Sequence, residues 1–324
     1  MTPKNTNNMN RYPIRKGLTV ETVTSKEHVV IELDGMRLSG RYAAPAGPPR
    51  ALIVALHGGS VTSAIYDETI PGEAPFLDIA AQLGFATLAL DRPGYGAAAA
   101  LDPTDAAFDR QVPVLRAAVE RAWERYGAGS TGLFLTGNSI GGMLALCLAA
   151  TTPEVPLLGV ATHAAGLQWI PGFVEWLQTA MSEARASVVD PRGRSTAVYG
   201  PDWSWERTVL AHLEATSAPA PVMELRDALT WPERLRRIAP GIPVPVLMTI
   251  AEYDDRWSSA PEVLEELRKL FTAAPFVDVR RQRFAGHQLT ASFVARGYYL
   301  RELAFFEECR VAAHTAAERR SVEG

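Results

Sequence analysis

Gly137-Asn138-Ser139-Ile140-Gly141, extended by Gly142, is the stretch from which the rest of the chain can be read. Ahead of it, Gly132-Leu133-Phe134-Leu135-Thr136 has the texture of a short apolar strand. Behind it, Met143 to Ala150 is apolar on nearly every side, which predicts a buried helix. A serine between glycines at such a strand-to-helix turn has the G-x-S-x-G pattern of a nucleophile elbow. The turn forces the serine into a strained backbone region, so its neighbours must lack bulk, and Gly137 and Gly141 provide that room. It also sets the Ser139 hydroxyl at a helix N-terminus, where free N–H groups and the helix dipole favour developing negative charge.

Outward from the elbow, strands and helices alternate. His28–Leu33 and Met36–Tyr42, joined at Asp34-Gly35, predict a β-hairpin. Ala51–Leu56 is a continuous apolar run, as in a strand buried on both faces, and ends in His57-Gly58-Gly59-Ser60. A helix is expected over Phe76–Leu83, and a second buried strand over Phe85–Leu90 runs into Asp91-Arg92-Pro93-Gly94-Tyr95-Gly96. Phe108, Val112, Leu115, Val119 and Trp123 give Phe108–Tyr126 helical spacing. Strands follow at Leu157–Ala161, Val244–Ile250 and Phe276–Arg281, with helices at Pro261–Phe271 and Ala291–Arg310. This order predicts an α/β fold whose mostly parallel sheet is covered by helices on both faces. Between 167 and 241 the rhythm changes: no clear strand is visible, and the stretch holds five of the seven tryptophans. It reads as an insertion within one core formed by 18–166 and 242–312, flanked by a flexible arm (1–17) and a polar tail (313–324).

A serine hydroxyl needs a neighbouring base at neutral pH, and histidine is the usual one. Of six histidines, His287 lies in Ala285-Gly286-His287-Gln288 directly after the last strand, where a loop can hold it over the carboxyl edge of the sheet. The bland alternative is a surface-loop histidine. The base needs a carboxylate to fix its tautomer. Asp254 in Glu252-Tyr253-Asp254-Asp255 is the first choice, Asp255 its rival and Glu252 a distant third; otherwise these are solvated loop charges. The order Ser…Asp…His fits a triad on such a sheet. Oxyanion donors are expected from the backbone N–H of Ile140 and of Gly59, with His57 bracing the glycine loop. No Gly-Lys-Ser/Thr follows that loop, so it is not a phosphate-binding P-loop.

The bulk numbers narrow the partners. The chain has 324 residues, 47% of them hydrophobic, and a formal net charge of −4, so electrostatics gives no case for binding nucleic acid or an anionic membrane. Cys147 and Cys309 could form one disulfide by count, but two buried thiols in a reducing cytoplasm fit their helical settings better. No apolar run is long enough to span a membrane, and residues 1–17 lack the apolar centre of a signal peptide. No His, Cys and carboxylate cluster has zinc-like spacing, so neither metal nor organic cofactor is expected.

His57-Gly58-Gly59, Asp91-Arg92-Pro93-Gly94-Tyr95-Gly96, the Ser139 elbow, Glu252-Tyr253-Asp254 and Gly286-His287 together resemble the motif series of the α/β-hydrolase superfamily. The resemblance covers about residues 28–310. It implies an eight-stranded sheet with a helical cap, here 167–241, inserted after the sixth strand. It also implies a serine hydrolase cleaving an ester, lactone or thioester through an acyl-enzyme. The Gly-Asn-Ser-x-Gly-Gly elbow is similar to that of C–C bond hydrolases, although their fuller glycine-proline loop is absent, and peptide or amide cleavage uses the same triad. A non-catalytic ligand binder is the alternative outside enzymes, against which the intact Ser139, Asp254 and His287 set argues. Ser60, Trp169, Trp176, Trp203, Trp205 and Trp231 are the expected pocket residues, for an apolar or aromatic small molecule. Arg185, Arg192 and Arg194 read as a solvated loop face. The sequence leaves a homodimer open.

Overall fold

Continuous apolar runs become central strands in the computed structural model, which describes residues 25–67, 73–182, 188–189 and 196–323. In chain order the main elements are β1 (Ser25–Leu33), β2 (Met36–Ala44), β3 (Leu52–Leu56), α1 (Phe76–Gln82), β4 (Ala86–Leu90), α2 (Phe108–Tyr126), β5 (Leu133–Asn138), α3 (Ile140–Ala150) and β6 (Leu157–His163). After these come α4 (Phe173–Ser182), α5 (Val209–Thr216), α6 (Val222–Leu229), α7 (Trp231–Ile238), β7 (Val246–Tyr253), α8 (Pro261–Lys269), β8 (Val277–Gly286) and α9 (Ala295–Glu323). The eight strands form one sheet in the order β1-β2-β4-β3-β5-β6-β7-β8. The β1–β2 and β2–β4 pairs are antiparallel, and the others are parallel.

Alternation along buried strands divides the core into two layers. Leu52, Val54 and Leu56 of β3 join Leu88, Leu135 and α3 on one face of the sheet. Ile53 and Ala55 point to the other face, with Phe76 of α1 and Phe306 of α9. Because both faces are covered, every residue of β3 is buried, which is why the sequence shows no polar alternation there. Each buried Leu or Ile of this kind contributes about 1.5–3 kcal/mol. Cys147 and Cys309 are free thiols in opposite layers, so the disulfide that count alone allowed does not form.

The structure departs from the sequence reading in two places. Val188–Val189 pairs antiparallel with Ala220–Pro221, a ribbon too short to leave an alternating pattern in the strandless stretch. The stretch from Ala313, expected as a polar tail, continues α9 to Glu323. It is rich in Ala, Glu and Arg and lacks Gly or Pro until Gly324, so its polarity does not end the helix. Within 167–241, α7 does not stand apart from the core: Trp231 and Leu235 share a layer with α3. Residues 1–17 and Arg185, Arg192 and Arg194 lie outside the described residues. Among those described, no helix is long and apolar enough to cross a membrane.

Candidate active site

Ser139 stands between β5 and α3 with φ +50° and ψ −118°, a region closed to most L-residues. Two hydrogen bonds hold it there. Its N–H donates to His163 O at 2.8 Å, and its carbonyl accepts from Met143 N at 2.9 Å. A Cβ at Gly137 would come within 2.4 Å of Gly141, and one at Gly141 within 2.1 Å of Leu56 O. Both glycines are therefore required by backbone approach, as the sequence predicts for this turn.

β7 and β8 end beside the elbow and bring in the other two groups. His287 Nε2 lies 3.0 Å from Ser139 Oγ, and His287 Nδ1 lies 2.9 Å from Asp254 Oδ1. Asp254 Oδ1 also accepts the backbone N–H groups of Arg256 and Trp257, at 3.0 and 3.1 Å. It can only accept, so the Nδ1 proton is fixed toward it and Nε2 is left with its lone pair toward the serine. All three groups are buried. Gly286 lets the insertion close over the base: a Cβ there would lie 2.2 Å from Gly200 N, and Gln288 N donates to Val198 O at 2.8 Å.

The rival carboxylates have other partners. Glu252 accepts from Phe284 N at 3.1 Å and braces the irregular end of β8. Asp255 faces the Arg256 guanidinium at 3.6 Å. Folding thus places Asp254, Asp255 and His287 close enough to offer three metal-type ligand atoms within 4.8 Å of one another, a grouping that sequence spacing did not reveal. The Arg256 guanidinium, beside both Asp255 and His287, already supplies the positive charge that a cation would bring there.

The glycine loop after β3 is set by a buried ion pair. Arg92 Nη1 lies 2.7 Å from Glu224 Oε2, and neither side chain is exposed. Arg92 also donates to His57 O, Gly58 O and Gln111 Oε1. Tyr95 Oη accepts from Ser60 N and donates to Glu224. Ser60 is held at φ +60° by this bond and by Ala218 N, which donates to its carbonyl. Gly59 lies against Ile140, whose Cδ1 would be 2.9 Å from a Cβ at 59, so the two expected oxyanion donors belong to adjoining residues. His57 braces this loop. Its Nε2 accepts Arg92 N–H at 3.0 Å, Nδ1 bonds Gly58 O at 2.8 Å, and burial, aided by Arg92, lowers its pKa to about 3. Removing one partner of such a pair strands a buried charge. Glu224→Ala is therefore expected to lose about 3–5 kcal/mol of stability, and the apolar double replacement Arg92→Met/Glu224→Leu markedly less. Urea titration of both variants checks the ranking.

A second network runs beneath the elbow. Asn138 Nδ2 donates to His163 Nε2 at 2.7 Å, and His163 Nδ1 lies 3.0 Å from Tyr298 Oη. Burial lowers the His163 pKa to about 3. Tyr298 and Thr136 hydrogen-bond Glu302, whose carboxyl is pushed up to about 7 by burial, against the pull of those two bonds. In the unfolded chain Glu302 ionises near 4.5, so between there and about 7 folding must retain a proton that the unfolded state releases. Its contribution is complete below the lower value and is lost as pH rises through the higher, a fall of about 3 kcal/mol. Glu302→Gln should remove this dependence, so its denaturation midpoint should gain on the wild type between pH 5 and pH 8; parallel curves would show the reading wrong.

The tryptophans do not act as one group. Trp231 is fully buried, with Nε1–H donating to Gly166 O at 3.0 Å, and Trp205 packs with Val198, Tyr199 and Val209. Both are packing anchors and not pocket walls, because their rings are spent on the protein's own interior. Trp203 is exposed among Tyr253 and Phe284. Trp169 and Trp176 flank Phe173, and Trp169 stacks at 3.5 Å on Trp257. That group adjoins the triad, because the Arg256 guanidinium sits over the Phe173 ring at 5.6 Å and beside His287 at 3.1 Å. Sequence reading missed Phe173, Trp257 and Arg256; the Arg256 position after Asp254-Asp255 was the one available signal.

A sheet of this order with a strained serine at the end of β5 has the form of an α/β-hydrolase. The model of the alpha/beta hydrolase family matches residues 53–297. The chain belongs to that family. Comparison with curated protein sequences found no match. Among solved structures, the chain is similar to a monoglyceride lipase from Saccharomyces cerevisiae (TM-score 0.69, 15% identity, 92% of this chain and 99% of that one). It is also similar to a carboxyl esterase from Bacillus coagulans (TM-score 0.66, 14% identity, 88% and 99%). A thioesterase domain from the curacin biosynthetic pathway aligns at TM-score 0.58 and 17% identity, over 86% and 99% of the chains.

Proposed function

We propose that the protein is a serine hydrolase that cleaves a carboxylic ester or thioester through an acyl-enzyme on Ser139. One observation carries the reading: a strained, buried serine hydroxyl lies 3.0 Å from His287 Nε2, whose other nitrogen lies 2.9 Å from Asp254. In this mechanism His287 takes the Ser139 proton as Oγ attacks the carbonyl carbon, and the backbone N–H groups of Ile140 and Gly59 receive the oxyanion. His287 then protonates the leaving alcohol or thiol. Water, deprotonated by the same histidine, releases the acid. Asp254 accepts the Nδ1–H hydrogen bond and steadies the imidazolium. The insertion supplies the substrate wall, and Trp169, Phe173 and Trp176 suit an apolar or aromatic body. A fluorophosphonate probe tests the core of this reading. It should label Ser139 stoichiometrically in folded protein and fail on Ser139→Ala; an unlabelled wild type would favour a binding protein.

A further inference from the structure

Arg256 brings a fixed cation into the same cleft. Its Nη1 lies 3.1 Å from His287 Nε2, the nitrogen that also faces Ser139 Oγ at 3.0 Å. An imidazole nitrogen has one lone pair, so the serine O–H and the arginine N–H compete for it. The side chain is 23% exposed, and its central carbon sits over the Phe173 ring at 5.6 Å. Among the described residues its guanidinium has one ion-pair partner, Asp255, which approaches Nε at 3.6 Å, beyond hydrogen-bond distance, and Nε has no hydrogen-bond partner there. The backbone around it is anchored: Arg256 N donates to Asp254, and its carbonyl accepts from Ile170 N at 2.7 Å. A half-buried guanidinium held beside His287, with its ion pair left long, is a receptor for a planar anion.

From this we infer that the preferred substrate carries a carboxylate a few bonds from the scissile carbonyl, and that Arg256 binds it. The substrate class is thus the half-ester or half-thioester of a dicarboxylic acid. Binding does two things at once. The carboxylate takes the guanidinium N–H groups in a forked pair, and this draws Nη1 away from His287 Nε2. The lone pair is then left to the Ser139 proton, so the base is fully engaged only when the matching substrate is bound. A neutral ester offers nothing to draw Arg256 aside and meets a base that is still shared.

The inference rests on the serine-hydrolase reading, and a matched pair of esters separates the two. Monobenzyl succinate and benzyl butyrate have the same leaving alcohol and acyl chains of similar length, and differ in the terminal carboxylate. Release of benzyl alcohol by the wild type should give monobenzyl succinate a kcat/KM at least about tenfold higher, the effect of a charge-assisted pair. Arg256→Gln should bring the ratio of the two kcat/KM values down toward one, a fall of about tenfold or more, mostly through the KM of the succinate, and Arg256→Lys should restore part of it. The wild-type comparison needs no variant to fold. If the fluorophosphonate labels Ser139 yet the wild type does not favour the succinate, or the ratio survives Arg256→Gln, the inference is overturned while the hydrolase reading stands. If Ser139 is not labelled and neither ester is cleaved, the hydrolase reading fails and takes the inference with it.

Discussion

Ser139→Ala and His287→Ala should each lower kcat by about 10⁴-fold or more, with the double variant little worse than either. The reason is geometric. On the proposed mechanism the serine hydroxyl is inert without its base, and among the described residues His287 Nε2 faces no other hydroxyl or thiol at 3.0 Å, so removing either group removes the covalent step. What survives is the electrostatic contribution of the oxyanion donors acting on attack by water, and both variants share it. Neither change should unfold the protein. Ser139→Ala keeps the Cβ that the turn at φ +50° already tolerates, and its N–H still donates to His163 O. Steady-state kinetics on one ester, with thermal unfolding as the control, decides the matter. Near-normal turnover in either variant would mean that Ser139 and His287 are not the reacting pair.

Asp254→Asn is expected to cost roughly 10⁴-fold in kcat, and Asp255→Asn far less. One oxygen, Oδ1, accepts from Arg256 N and Trp257 N and also faces His287 Nδ1, so an amide oxygen in its place keeps those bonds but brings no negative charge to the imidazolium. An amide turned the other way sets its NH₂ against all three N–H groups and forces the histidine proton onto Nε2, with no lone pair for the serine. Asp255 reaches only Arg256, at 3.6 Å, so its loss leaves the histidine untouched. Measuring both variants under saturating substrate gives the ranking, and the reverse order would move the acid one residue along the chain.

Different physics governs what the sequence could and could not announce here. The elbow was legible because three glycines and a serine answer a backbone demand that almost no other residues meet. The helix over Phe108–Tyr126 was legible to the residue because its apolar positions recur on one face. His287 and Asp254 were legible as loop residues at strand ends, but nothing local separated Asp254 from Asp255. That choice is made by two backbone N–H groups and by the path of the loop. Arg256 reads in sequence as one more surface charge, since its contact with His287 spans 31 residues. The tryptophans mislead for a related reason: their number shows that apolar surface must be covered, but not whether protein or ligand covers it.

The ion pair between Arg92 and Glu224 joins residues 132 apart, and the serine and its base are 148 apart. Both separations bear on when the site comes into being. A growing chain that has reached α3 already carries the serine, yet the counter-ion of Arg92 lies on α6 and the base follows β8. Until α6 is made, Arg92 must stay hydrated, because burying its charge alone would cost several kcal/mol. The glycine loop accordingly cannot settle early, and long-range closures of this kind come late in folding. On the proposed mechanism the Ser139 hydroxyl therefore has no base until β8 and the loop after it are in place.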